Sequence, residues 1–232
     1  MMKKIIITQS NYIPWKGYFD NIQQADVMVI FDDMQYTRRD WRNRNYIKTP
    51  QGLEWLTIPV EVKGKYYQKI NETKISDKKW VDYHLKKLRQ NYSKAQYFKE
   101  LMPWVESLYK EVSNKDYLTE VNTFLIQEIC TFLNIKTKII DSRQFVLKED
   151  KTARLVDICT ALHATEYLTG PAAKSYIDES KFEKENIKVT YFNYDGYPEY
   201  PQLYPPFQHG VTILDVILNC GNDSQKLINR IV

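Results

Sequence analysis

Short apolar runs alternate with amphipathic segments along this chain, and that order predicts an α/β fold. Runs of aliphatic and aromatic residues predict strands at residues 5–7, 27–31, 137–140, 166–168 and 189–194. Apolar residues at helical spacing predict intervening helices at 19–25, 151–162, 182–186 and 212–219. Because strands that alternate with helices form parallel sheets, we expect a Rossmann-like, mostly parallel sheet with helices on both faces.

Two stretches depart from this alternation. Residues 54–60 alternate apolar and polar side chains and residues 69–75 read as their antiparallel partner, which predicts a β-hairpin. Three consecutive helices are predicted at 77–92, 97–112 and 116–132, so residues 76–134 form a helical block inserted between sheet-forming segments. We expect residues 1–232 to form a single α/β domain that contains this insertion.

Composition restricts the class of protein. The chain is 43% hydrophobic and 27% charged, and no apolar run approaches the ~20 residues of a membrane span, so we expect a cytoplasmic protein without such a span. Its three cysteines are scattered in apolar contexts, which favours reduced, packed thiols. A net charge of +4 is too small to indicate nucleic acid as a partner.

The polar residues that follow the first two strands predict where a ligand binds. In a βαβ unit both strands are parallel, so Gln9 and the pair Asp32-Asp33 leave the sheet at its carboxyl edge, where open α/β sheets place ligands. The loop after the first strand contains Pro14 and Gly17 and leads into a helix, an arrangement that suits an anion. Tyr12 and Tyr18 lie in the same loop.

The second loop combines acids, guanidinium groups and aromatic rings. Asp32 and Asp33 are candidates to hold a metal, to fix ligand hydroxyls or to take a proton from an amine; helix or turn capping is the structural alternative. Neighbours on an extended chain point in opposite directions, so we expect one of the two to face the cleft. The following cluster suits bidentate phosphate or carboxylate contacts and ring stacking, and a solvated loop is its structural alternative. It comprises Arg38, Arg39, Trp41, Arg42, Asn43, Arg44 and Asn45, and it is preceded by Gln35 and Tyr36.

Three histidines and a second turn complete the candidates. His84 and His209 are chemically suited to act as a general base, whereas His163 ends a helix and suits capping. A packed core histidine is the competing interpretation for His84. The spacing of the three histidines argues against a zinc site. A second candidate anion site consists of a turn after the fourth predicted strand, with Gly170, Pro171 and Lys174; an ordinary strand-to-helix turn is the alternative.

Four motifs together resemble the WbqC-like family of bacterial proteins. They are Q-x-x-Y-x-P-x-x-G-Y-F from Gln9, D-D-x-Q-Y-x-x-R-x-W-x-N-R from Asp32, C-x-x-L-x-A-T-x-Y-L-x-G-P from Cys159, and E-Y-P-Q from Glu199. The resemblance implies a role in bacterial surface polysaccharide, such as O-antigen. It also implies transfer of an acyl or aminoacyl group, glycyl for example, to an amino sugar. The site residues it implies are Gln9, Tyr12, Pro14, Gly17, Asp32, Asp33, Gln35, Arg38, Trp41, Asn43, Arg44, Gly170, Pro171 and Gln202.

Three functions remain open at this level. The first is an N-acyl or aminoacyl transferase acting on a nucleotide-linked amino sugar or another phosphorylated ligand, with an acyl carrier protein as one candidate donor and the cofactor unknown. The second is an ATP-dependent ligase or nucleotidylyl transferase, because the first loop also resembles such enzymes. However, Trp15 or Lys16 and Tyr18 occupy the positions of their paired histidines. The third is a non-catalytic binder of sugar precursors or of a partner enzyme.

Overall fold

The structure is a computed structural model and describes residues 2–230. Five parallel strands form the central sheet: β1 at Lys4–Thr8, β2 at Val27–Ile30, β5 at Lys138–Asp141, β6 at Glu166–Thr169 and β7 at Lys188–Tyr191. Their order across the sheet is β5-β2-β1-β6-β7. The predicted α/β class and mostly parallel sheet are therefore confirmed.

Helices cover both faces of this sheet. They are α1 Lys16–Gln23, α2 Trp80–Tyr92, α3 Phe98–Val112, α4 Leu118–Phe132, α5 Ala153–Ala161, α6 Glu179–Glu183, α7 Ile213–Cys220 and α8 Ser224–Leu227. None of the helices within residues 2–230 combines the length and apolar character that a membrane crossing requires.

Side-chain alternation along the strands divides the core into two layers. Ile6 and Met28 belong to one buried cluster, whereas Ile5 and Val27, one residue earlier on each strand, belong to the other. This follows from the two-residue period of a strand, which sends successive side chains to opposite faces. The first cluster also contains the buried residues of α1, α7 and the helical block α2–α4. The second is formed with α5 and with Phe182 of α6.

The hairpin prediction is wrong about the partner strand. The hairpin pairs β3, Arg44–Thr49, with β4, Gly52–Thr57, through a two-residue turn. The segment expected to pair contains instead a 3₁₀ helix at Ile70–Glu72 and a single antiparallel bridge, Val60 with Ile75. A tight turn closes a shorter loop than the one expected and so has a smaller entropic cost. Because β3 begins with polar residues, the sequence pattern indicated a loop at this position.

A polar side chain explains why β3 is a strand despite its sequence. Asn45 is buried and donates hydrogen bonds to the carbonyl oxygens of Tyr12 (3.1 Å) and Ile13 (2.9 Å). Its own Oδ1 accepts from the backbone N–H of Tyr46 at 2.8 Å. Ile13 has φ of +35°, a conformation that β-branched residues rarely adopt. The hairpin therefore holds the loop after β1 in a strained conformation.

The strand order places a crevice beside β1. The chain runs from β1 outward to β2 and β5 on one side, and later to β6 and β7 on the other. This reversal is a topological switch point, and the loops after β1 and β6 diverge there at the carboxyl edge. Gln9 follows β1 and Gly170 follows β6, so both residues lie at the switch point.

The substitution Asn45→Ala should lower the free energy of unfolding by about 1–3 kcal/mol, because it leaves two buried carbonyl groups without donors. Urea denaturation monitored by circular dichroism measures the change. Gln51→Ala, in the exposed hairpin turn, is the matched control and should change stability by less than about 0.5 kcal/mol. Equal stabilities for the two variants would contradict this role of Asn45.

Candidate functional site

Two adjoining cavities open at the carboxyl edge of the sheet. The first, here the sheet-edge cavity, has a volume of about 520 Å³ and lies beside Gln9 after β1 and Gly170 after β6. The second, here the hairpin cavity, has a volume of about 600 Å³ and lies between Trp41, Asn45 and the loop that follows β7. Asn11, Trp15 and Tyr194 line both cavities. The two cavities therefore form one cleft with a shared wall.

Aromatic packing fixes the shared wall. The Trp15 ring makes edge-on contacts with Tyr194 and Tyr197, with ring centroids 5.5 and 5.4 Å apart. The indole also lies directly over Gly17, where an added Cβ would come within 2.3 Å of Trp15 Cζ2. Gly17, a predicted site residue, thus makes room for the indole of Trp15. The close approach explains why a side chain would not fit at position 17.

The sheet-edge cavity is lined by cations and aromatic rings. Arg42 comes from the loop after β2, Lys151 from the turn that precedes α5, and Arg154 from the first turn of α5. The lining of this cavity includes no aspartate or glutamate among residues 2–230. Tyr18 lines the same cavity and its hydroxyl donates to the carbonyl oxygen of Gln9 at 3.0 Å.

The hairpin cavity has a different chemistry. Trp41 is 42% exposed and is supported from behind by Trp55, whose ring centroid is 5.4 Å away. Trp55 in turn lies between the Tyr46 ring at 3.6 Å and the Arg44 guanidinium at 3.8 Å. Such an exposed, supported ring is a stacking surface for a sugar or a base.

Two ionisable groups line the same hairpin cavity. Asp195 and His209 are both exposed, and Pro14 lies beside them in the lining. Partial burial lowers the pKa of His209, and the nearby Lys16 ammonium lowers it further. A neutral imidazole at pH 7 can accept a proton, so His209 is suited to general-base chemistry there.

Asp32 lies beneath the cleft and lines neither cavity. It is 3% exposed, and its carboxylate accepts hydrogen bonds from Ser10 N (2.8 Å), Ser10 Oγ (2.6 Å) and Thr119 Oγ1 (2.6 Å). Burial raises the pKa of Asp32, and the Ser10 and Thr119 donors oppose that shift. Asp32 therefore connects the loop after β1 to α4, and it does not contact a ligand in the cleft.

Asp33 points to a different side of the molecule. Its carboxylate accepts from Ser142 Oγ at 2.5 Å and Asn71 Nδ2 at 3.2 Å, and Lys69 Nζ lies 3.7 Å away. Asp33 lines neither cavity of the cleft. The acidic pair therefore does not meet Gln9 and Arg42 in one pocket as expected, because each carboxylate is engaged by hydroxyl and amide donors outside the cleft.

His84 and Tyr12 are core residues. Both are fully buried, and His84 Nδ1 lies 2.8 Å from the Tyr12 hydroxyl, which also pairs with the Tyr109 hydroxyl. His84 Nε2 faces the carbonyl oxygen of Thr57 at 3.2 Å. Burial lowers the pKa of His84 to about 3, so the neutral ring donates to Thr57 and accepts from Tyr12. The packed-histidine interpretation describes this geometry, and His84 lines neither cavity of the cleft.

Several predicted ligand contacts are contacts to the main chain instead. The side chain of Gln35 donates to the carbonyl oxygen of Tyr66 at 2.9 Å, and Arg38 donates to that of Val62 at 2.9 Å. Asn43 donates to the carbonyl oxygen of Ile58 at 2.8 Å, and Arg44 donates to that of Arg39. These side chains support the loop between residues 58 and 69 and the outer face of the hairpin.

The later candidates divide in the same way. Gly170 lines the sheet-edge cavity, while Pro171 begins a 3₁₀ helix and Lys174 Nζ lies 4.9 Å over the Tyr191 ring, both outside the cavity lining. Gln202 donates to Asp215 Oδ1 at 2.8 Å and to the Gln208 carbonyl oxygen at 3.1 Å. Gln202 therefore shapes the proline-rich loop that carries His209.

The structure brings eight predicted residues to the cleft and adds others. The eight are Gln9, Pro14, Tyr18, Trp41, Arg42, Asn45, Gly170 and His209. The additions include Asn11, Asn21, Lys151, Arg154, Tyr194 and Asp195. Lys151 and Arg154 could have been predicted from the sequence, because they follow β5 and the loops after parallel strands meet at one edge of the sheet. Within residues 2–230, no cluster of His, Cys, Asp or Glu is arranged to hold a metal ion.

Comparison with known proteins identifies a family and a relative. A profile of the WbqC-like protein family matches residues 9–227. One similar protein, "Uncharacterized protein Rv1507c" of Mycobacterium tuberculosis (strain ATCC 25618 / H37Rv), is 48% identical over 223 residues, which is 96% of each chain. No solved structure matches the chain.

The buried His84 predicts a pH-dependent stability. The unfolded chain binds a proton at the ordinary pKa of 6.5, whereas the folded pKa is about 3. The His84 contribution is therefore intact above pH 6.5 and falls, as the pH drops below it, by up to about 1.4 kcal/mol per pH unit. Urea denaturation between pH 4.5 and 7.5 measures this slope. His84→Gln, which keeps a donor and an acceptor, should show a smaller slope; parallel curves would refute the assignment.

Proposed function

The chain belongs to the WbqC-like protein family, and from its cleft we propose that it is a transferase acting on an amino sugar. The acceptor is a nucleotide-linked amino sugar of bacterial surface polysaccharide, and an acyl or aminoacyl group, glycyl for example, is transferred to its amine. The reaction takes place in the cytoplasm. One observation carries the proposal: a stacking ring, a carboxylate and a neutral imidazole line the hairpin cavity, which shares a wall with a cation-lined cavity.

Three residues of the hairpin cavity have different roles in the proposed reaction. Trp41 offers its exposed face to the sugar ring, and the Asp195 carboxylate attracts the acceptor's amine. His209 accepts the proton that the amine loses. Holding the amine and the acyl carbon in contact supplies much of the rate enhancement, because a positioned nucleophile reacts without the entropy loss of a collision.

The proposed step requires an activated acyl donor, an ester or a thioester. The amine nitrogen attacks the acyl carbonyl carbon, and a C–N bond forms. The C–O or C–S bond to the leaving group breaks, and the leaving group departs with the electron pair. The amine proton passes to His209 and then to the leaving group, so the imidazole returns to its neutral form.

An ATP-dependent ligase or nucleotidylyl transferase is the second candidate. The observation that favours it is the cationic sheet-edge cavity at the switch point, since a nucleoside triphosphate would also suit such a site. Release of pyrophosphate from ATP, in the presence of Mg²⁺ and a panel of carboxylic acids, would support it. Transfer from a preformed ester or thioester without ATP would exclude it.

The test of the transferase uses nucleotide-linked amino sugars with a panel of acyl and aminoacyl esters and thioesters, and follows the acylated product by mass spectrometry. His209→Gln should lower kcat about 10²- to 10⁴-fold while leaving Tm unchanged, because its side chain is exposed. His163→Asn, an exposed histidine outside the cleft lining, is the matched control. Binding of these sugars without turnover by the wild type would support a binder and reject the transferase.

The pH profile gives a second test of His209. Protonated His209 cannot accept a proton, so kcat/KM should fall on the acidic side with a midpoint below pH 6.5, the ordinary value for histidine. His209→Gln should remove this limb of the profile. A midpoint above 7, or an unchanged limb in the variant, would contradict His209 as the base.

A further inference from the structure

Two of the three cations that line the sheet-edge cavity, Lys151 and Arg154, have no carboxylate partner among residues 2–230. Arg154 donates to the carbonyl oxygens of Glu149 and Asp150, and its Nη1 lies 3.6 Å from Met34 Sδ. These contacts occupy the Nε–H and one N–H on each terminal nitrogen, so each terminal nitrogen keeps one N–H for a ligand. Within residues 2–230, neither Arg154 nor Lys151 forms an ion pair with Asp or Glu.

Arg42 adds a third cation from a different loop. Its guanidinium donates to Asn11 Oδ1 and to the Ser10 carbonyl oxygen, and its Nε lies 3.8 Å from Asp40 Oδ2. At that distance the ion pair is loose, and the side chain is fixed mainly by the loop after β1. Three cations in a concave site without acidic lining attract an anion that carries more than one charge.

An unpaired acceptor points to a second property of the ligand. Asn21 lines the cavity and is 7% exposed; its Nδ2 donates to the Tyr194 hydroxyl at 3.0 Å. Its Oδ1 has no hydrogen-bond partner among residues 2–230. A buried carbonyl without a donor is costly, and a ligand hydroxyl would supply one. Tyr18, Tyr176 and Tyr194 add aromatic surface to the same cavity.

We propose that the sheet-edge cavity is the site for a nucleoside diphosphate group, with Arg42, Lys151 and Arg154 binding the diphosphate and Asn21 accepting from a ribose hydroxyl. Its volume of about 520 Å³ suits a ligand of this size. This inference rests on the proposed function and deepens it. A nucleotide-linked sugar then spans the shared wall at Trp15, with its phosphates at the sheet edge and its sugar in the hairpin cavity.

Calorimetric titration with pyrophosphate and with uridine diphosphate tests whether the cations of the sheet-edge cavity bind a diphosphate. The wild type should bind both, with affinity that decreases as salt rises. Arg154→Gln and Lys151→Gln should each weaken both ligands about 10-fold or more, since each removes a charge-assisted contact. Lys148→Gln is the matched control on the same segment, because Lys148 pairs with Asp157 at 2.8 Å outside the cavity lining. Lys151 is exposed, so its variant should fold even if the Arg154 variant does not.

Asn21→Ala tests the hydroxyl contact separately. It should weaken uridine diphosphate but leave pyrophosphate affinity unchanged, because pyrophosphate has no ribose. Absence of wild-type binding to both ligands, or equal affinity in the wild type and the two charge variants, would overturn the inference. An equal loss of affinity for both ligands in Asn21→Ala would contradict the contact between Asn21 and the ribose.

The same variants separate this inference from the proposed reaction. Diphosphate binding that requires Arg154 and Lys151, without acyl transfer to any amino sugar, would leave the inference standing and reject the transferase. Acyl transfer at unchanged KM for the nucleotide-linked sugar in both variants would support the transferase and reject the diphosphate site.

Discussion

The carboxylate of Asp32 is buried where three parts of the chain meet, and the cleft depends on it. A carboxylate away from water is stable only when donors replace the water it has lost. Here they come from Ser10, in the loop after β1, and from Thr119, on α4. Asn122, also on α4, donates to Ser10 Oγ at 3.1 Å and to the Arg42 carbonyl oxygen at 2.8 Å. The helical block thereby holds both loops that form the cleft.

A second buried carboxylate holds the opposite wall. Asp215 of α7 is fully buried and accepts from Tyr92 (2.8 Å), Tyr200 (2.6 Å) and Gln202 (2.8 Å). These bonds fix the proline-rich loop between Tyr197 and His209, and Lys16 adds a hydrogen bond to its Pro198 carbonyl oxygen. Both walls are thus formed before a ligand arrives, and a preformed site avoids the entropic cost of ordering them on binding.

The pattern of apolar residues predicted the sheet but not the direction of polar side chains. Runs such as 27–30 have a strong β signal, and the rule for parallel strands correctly brought Gln9 and Gly170 to one edge. Residue type alone could not show that Arg38 turns to a main-chain carbonyl while Arg42 lines a cavity. That difference arises from β3, whose strand character depends on Asn45 contacts with a loop 32 residues earlier.

The most direct test of this account is the Asp32→Asn substitution, which keeps the shape of the side chain but places an NH₂ group against hydroxyl and amide donors. Hydrogen exchange at the Ser10 and Tyr12 amides should become faster and pyrophosphate binding weaker, because the loop after β1 loses its anchor. Asp33→Asn, whose carboxylate faces away from the cleft, should retain wild-type exchange at both amides. Wild-type exchange and affinity in Asp32→Asn would contradict the account.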